Sequence, residues 1–95
     1  MTGSTRSSEG LDERRRRLLY RSWHRGTREM DLIMGRFADA SIANMSDADL
    51  DDYERLMEAT DPELYAWVTN SEPAPAEHDT ALLSRLKSFR TARFS

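Results

Sequence analysis

The chain has 95 residues, 33% of them charged and 38% hydrophobic, and a formal net charge of -3 at pH 7. That size holds one small core and leaves no room for a second domain, and the polar composition suits thin helices with one apolar stripe each. There is no cysteine, which excludes a disulfide framework, a thiol nucleophile and a thiolate metal site together.

Residues 1–10 contain nothing to bury and read as a disordered tail. They carry Glu9 and no apolar run, so neither a secretory signal nor a mitochondrial leader is expected. No later stretch approaches the roughly 20 apolar residues that cross a bilayer. A cytoplasmic protein with no membrane insertion follows as the expectation.

Leu11, Leu18, Leu19 and Trp23 share one helical face, arginines cover the others, and Gly26 supplies a stop, which predicts a first helix over 11–24. Met30, Ile33, Met34, Phe37 and Ala38 keep the spacing of a buried stripe and predict a second over 27–40. Ser46 followed by Asp49 resembles a capping box, and Leu50, Tyr53, Leu56 and Met57 continue it into a third helix over 46–59. Asp61-Pro62-Glu63 opens a fourth helix with Asp61 as the capping carboxylate and Leu64, Tyr65, Trp67 and Val68 within it. Pro73 and Pro75 mark a linker over 71–76, and Leu82, Leu83, Leu86 and Phe89 predict a fifth helix over 77–90. One valine and no two-residue alternation argue against a sheet. The fold class expected is all-α, a single compact bundle of about five helices over residues 11–95.

Charge is segregated along the chain. Residues 1–30 carry eight Arg against four acids, residues 31–79 thirteen acids against Arg36 and Arg55, and residues 80–95 four bases and no acid. Such asymmetry orients partners more than it adds affinity. The run Arg14 to Arg17 reads first as a solvated helix face; the alternative is a small helical nucleic-acid-binding regulator that uses it against phosphates. The acidic middle speaks against that alternative.

His24 and His78 lack a carboxylate at ligand spacing and read as solvated or capping residues, so no metal is expected. Ser22 beside His24 is a sequence neighbour, not a convergent triad, and the four glycines form no phosphate loop. No catalytic residue is assigned.

The distinctive stretch is Arg25-Gly26-Thr27-Arg28-Glu29, at the corner between the first two helices. Gly26 permits a tight turn, Glu29 falls in the first turn of the second helix, and Arg25 and Arg28 can each offer a planar fork to a carboxylate, Glu29 itself or one on a partner. One reading makes these residues a tie for the corner; the other makes them a projecting recognition point.

The run from Arg25 to Phe37, with its Arg-Gly-x-x-Glu core followed by Asp31, Gly35 and Phe37, resembles the signature of the small flavinylation factors of succinate dehydrogenase. Asp49 to Leu56, the Asp61-Pro62 opening and Trp67 also look like that family, so the likeness covers about residues 11–90. It implies a five-helix assembly factor, not an enzyme, that binds the flavoprotein subunit of succinate dehydrogenase, and often of fumarate reductase, and promotes covalent attachment of FAD to a histidine of that subunit. No cofactor is then held stably by this chain, which is expected to be monomeric. By position the resemblance makes Arg25, Gly26, Thr27, Arg28, Glu29 and Asp31 the partner-binding residues, with Phe37 in the core. Position 27 is Thr where the family commonly carries a larger apolar residue.

Overall fold

The computed structural model of the chain describes residues 10–94, with side chains to residue 92. The expected tail falls, Gly10 apart, outside the described residues. These contain helices α1 (Glu13–Trp23), α2 (Arg28–Ser41), α3 (Asp47–Leu56), α4 (Asp61–Val68) and α5 (Ala81–Phe94), with short 3-10 turns at Ile42–Asn44 and Ala76–His78 and no strand. The protein is all-α, as its hydrophobic spacing predicts. Two compact units divide the helices, one ending at Ser46 and the other beginning at Asp47.

In the first unit α1 packs on α2. α1 buries Leu18, Leu19, Ser22 and Trp23, while α2 buries Met30, Ile33, Met34, Gly35, Phe37 and Ala38. Fully burying one such apolar side chain is worth roughly 1.5–3 kcal/mol. An exposed pair such as Arg17–Glu13, at 3.3 Å, adds at most about 1 kcal/mol. Apolar burial therefore holds the two helices together. α1 starts later than the spacing predicts because Asp12 is extended at the N-cap, although Leu11 before it is still buried.

Arg15 has a role that the arginine run conceals. Its Nε donates to the Ile42 carbonyl at 2.9 Å, its Nη2 to the Met45 carbonyl at 2.6 Å, and its Nη1 to Asp12 Oδ1 at 2.9 Å. The Ile42 carbonyl otherwise accepts from Met45 N at 3.4 Å, and α2 has no basic residue in its last turn, so the α1 guanidinium supplies further donors past the end of that helix. The Arg15 hydrogen bond also holds the Asp12 carboxyl below the usual carboxylate range. With 22% of its side chain exposed, Arg15 does not belong to a free basic face.

In the second unit α5 packs on α3 and α4. The core comprises Leu50, Tyr53, Leu56, Met57, Leu64, Trp67, Val68, Leu82, Leu83 and Leu86, and an Arg85–Asp49 ion pair at 2.9 Å ties α5 to α3 at the surface. Asp61 is not the cap of α4. Thr60 holds that place: its Oγ1 accepts from Glu63 N at 3.3 Å, and Glu63 Oε1 accepts from Thr60 N at 2.9 Å. A cap at Asp61 would put Leu64 at the third helical position, where it could return no hydrogen bond, whereas Thr60-x-x-Glu63 completes the reciprocal box. Just past the end of α4, Asn70 takes a φ of 62°, with Ser71 N and Glu72 N both donating to the Ala66 carbonyl. α5 begins later than expected because Thr80 Oγ1 accepts from Leu83 N at 3.2 Å, and its preceding segment forms the 3-10 turn whose His78 ring stacks on Trp67 at 5.1 Å.

Replacing Thr60 with alanine is expected to cost about 1 kcal/mol in urea denaturation at neutral pH. The backbone N–H of Thr60, which alanine keeps, and the Thr60 hydroxyl, which alanine removes and which donates to Glu63 Oε1 at 3.1 Å, both hold the Glu63 carboxyl below its ordinary 4.5. A carboxyl lowered on folding contributes stability that is complete above its unfolded value and is lost as the pH falls through its folded value. The gap between wild type and variant should therefore narrow as the pH drops below 4.5.

Candidate functional site

The corner joining α1 to α2 is built by hydrogen bonds that the surrounding residues direct inward. α1 stops at His24, whose N–H donates to the Arg21 carbonyl at 3.3 Å. Gly26 follows with a φ of 121°, a left-handed conformation that favours glycine. Thr27 is extended and caps α2, its Oγ1 accepting from Met30 N at 3.3 Å and its carbonyl from Asp31 N at 2.9 Å.

Asp31 closes the turn from the other side. Its Oδ1 accepts from Arg25 N at 2.5 Å and from Gly26 N at 3.3 Å, so a carboxylate in the first turns of α2 holds the backbone that precedes the helix. The positive end of α2 favours both Asp31 and Glu29 there. Arg25 and Asp31 are half-buried, Met30 is buried beneath them, and Gly26, Thr27, Arg28 and Glu29 are exposed. Among the described residues, no side-chain hydrogen bond or ion pair engages Arg28 or Glu29.

The six residues singled out in the sequence are thus brought together, but in two groups. Arg25, through its backbone N–H, Thr27 and Asp31 shape the turn, while Arg28 and Glu29 face solvent beside Gly26. The half-buried, engaged state of Asp31 was not legible from its type. Its signal was position, an acid five residues after a glycine corner, from where it can reach back to loop amides.

Below the corner, Gly35 sets how closely the helices approach. A Cβ placed on it would lie within 2.6 Å of three atoms of the Trp23 indole, so the ring rests on bare α2 backbone. Trp23 Nε1 then donates to Asp39 Oδ1 at 3.2 Å, which fixes the ring's orientation. Apolar spacing in α1 places Trp23 on the buried face, but nothing in that spacing pairs it with Gly35.

His24 is the exposed C-cap of α1, in keeping with a solvated or capping role, whereas His78 is half-buried with its ring packed on Trp67. His24 Nδ1 lies 2.7 Å from the Tyr20 carbonyl oxygen and its ring stacks on Tyr20. Among the described residues no group of three His, Asp or Glu side chains could hold a metal ion, and no helix is long and apolar enough to cross a membrane.

A firm backbone turn that presents an arginine, a glutamate and a glycine to solvent is suited to bind another protein's polar groups. A family model described as flavinator of succinate dehydrogenase matches residues 16–90. The FAD assembly factor SdhE of Acetobacter pasteurianus is 40% identical over 80 residues, which are 84% of this chain and 73% of that protein. The mitochondrial succinate dehydrogenase assembly factor 2 of Mycosarcoma maydis is 38% identical over 75% of this chain, and factor 2-A of Drosophila yakuba 37% over 86%. The matches span only 30% and 52% of those two longer proteins. The chain belongs to the family of succinate dehydrogenase flavinators.

Proposed function

We propose that the chain binds the flavoprotein subunit of succinate dehydrogenase, or of fumarate reductase, through the α1–α2 corner and promotes covalent attachment of FAD to that subunit. Relatives named as assembly factors support the role. The single observation that carries the site is the corner itself, braced from within by Thr27 and Asp31 while Arg28 and Glu29 stand in solvent beside Gly26. The protein works in the cytoplasm as a monomer, without a catalytic group or a stably held cofactor of its own.

No reacting group is needed in this chain for such a role. A factor that binds one arrangement of its client more tightly raises the population of that arrangement, and about 1.4 kcal/mol of preference shifts it tenfold. Arg28 offers two parallel donors to a client carboxylate, and Glu29 accepts from a client donor. Gly26 lets client backbone approach where a side chain would stand.

Glu29→Gln and Gly26→Ala chains test the site when each is expressed with the flavoprotein subunit. Flavin fluorescence that stays with the denatured subunit on a gel is expected to fall about tenfold or more, while Glu29→Gln leaves the circular dichroism melt unchanged. Wild-type flavin retention with both variants would remove the corner from the function.

A further inference from the structure

The last turns of α1 carry a feature that the corner does not use. Tyr20 is 64% exposed, the most exposed large hydrophobic side chain among the described residues. It does not swing freely. Its ring lies 3.9 Å from that of His24, nearly parallel at 17°. His24 Nδ1 is 2.7 Å from the Tyr20 carbonyl oxygen, an acceptor, so the proton sits on Nδ1 and the imidazole is locked beneath the tyrosine. A tyrosine restrained in this way gives up little freedom when a partner covers it, which is the property of an interface anchor.

Its surroundings are cationic. Arg16, Tyr20 and His24 recur every four residues and form one stripe of α1, with Arg21 next to it. Arg16, Arg21 and Arg28 are exposed, and among the described residues none of the three has an ion pair. The acids at the start of this face are both paired, Asp12 with Arg15 and Glu13 with Arg17. The stripe runs directly into Arg25 and Gly26, so whatever docks on the corner meets the aromatic pair as well.

We infer that Tyr20 and His24 form an aromatic ledge that extends the docking corner along α1 and takes an acidic segment of the same flavoprotein client. An apolar part of that segment covers the Tyr20 ring and its carboxylates face Arg16 and Arg21. This rests on the docking role proposed above. Tyr20 is the contact, and His24 is a positioning residue that acts through it.

The test uses the full chain and the purified flavoprotein subunit of succinate dehydrogenase, with affinity measured by calorimetry at low and high salt. Tyr20→Ala is expected to weaken binding about tenfold or more, within the range of an interface anchor. Arg21→Glu should weaken it several-fold and flatten its salt dependence. His24→Phe keeps a ring to stack and should stay within about twofold of wild type, whereas His24→Ala should not. Tyr20 and Arg21 are exposed, so unchanged circular dichroism melts will show that these variants fold.

If Glu29→Gln weakens the complex while Tyr20→Ala and Arg21→Glu bind as wild type does, the ledge falls and the corner stands. If none of the three weakens it, both fall. A mixed-sequence DNA duplex serves as the competing ligand. Loss of duplex binding by Tyr20→Ala and Arg21→Glu, with binding of the subunit unchanged, would assign the stripe to nucleic acid and overturn the inference.

Discussion

A Gly35→Ala chain is expected to be destabilised by about 2–3 kcal/mol and to melt roughly 10 °C or more below wild type. Helix propensity alone gives the opposite sign, since alanine is favoured over glycine inside a helix by about 0.5–1 kcal/mol. Packing decides the outcome. The new methyl would lie within 2.6 Å of three Trp23 ring atoms, and the ring is buried and held by its bond to Asp39. It must leave its place, and the bond to Asp39 goes with it. Trp23→Leu makes room, so combining it with Gly35→Ala should cost less than the two single changes added together. Strict additivity, or a Gly35→Ala chain as stable as wild type, would mean that the indole does not lie on that glycine.

Asp31→Ala should leave the helices folded, lower stability by about 1–2 kcal/mol, and weaken binding of the flavoprotein subunit about tenfold or more. The stability loss is moderate because water can reach the amides of Arg25 and Gly26 once the carboxylate is gone. The binding loss is larger in proportion, because those two amides fix the direction in which Gly26, Arg28 and Glu29 are presented. Asp31→Asn keeps an acceptor oxygen at the same reach and should recover part of the affinity. Calorimetry of all three chains against the subunit decides the matter, and an Asp31→Ala chain that binds as well as wild type would show that the turn keeps its shape without the carboxylate.

The elements were legible in the sequence where one force set them. The stripe from Met30 to Ala38 is apolar at each helical position that faces inward, and α2 follows it closely. Where two local signals competed, the reading went astray. Asp61 and Thr60 can each cap a helix, and the choice depends on Glu63 lying three residues after Thr60, a reciprocal fit that neither residue shows alone. Residues 77–80 resemble the start of α5 in composition, but Thr80 takes the capping hydrogen bond and moves the start of the helix to Ala81.

For the candidate site, the sequence located the corner but not the division of labour within it. Thr27, Asp31, Arg28 and Glu29 are all polar, and only the hydrogen bonds separate those that fold the turn from those that face outward. The arginine run hid a similar division, because Arg15 is spent on the carbonyls of Ile42 and Met45 while Arg17 pairs with Glu13. The Tyr20–His24 stack has a four-residue spacing that could have flagged it, but two aromatic residues at that spacing pass for an ordinary exposed helix face.

The chain's two tryptophans are divided between its two units, Trp23 against Gly35 in one and Trp67 against the His78 ring in the other. Each unit thus carries a built-in fluorophore in surroundings of its own. With one indole replaced at a time, emission from the other would report separately on the half that bears the corner and on the half that does not.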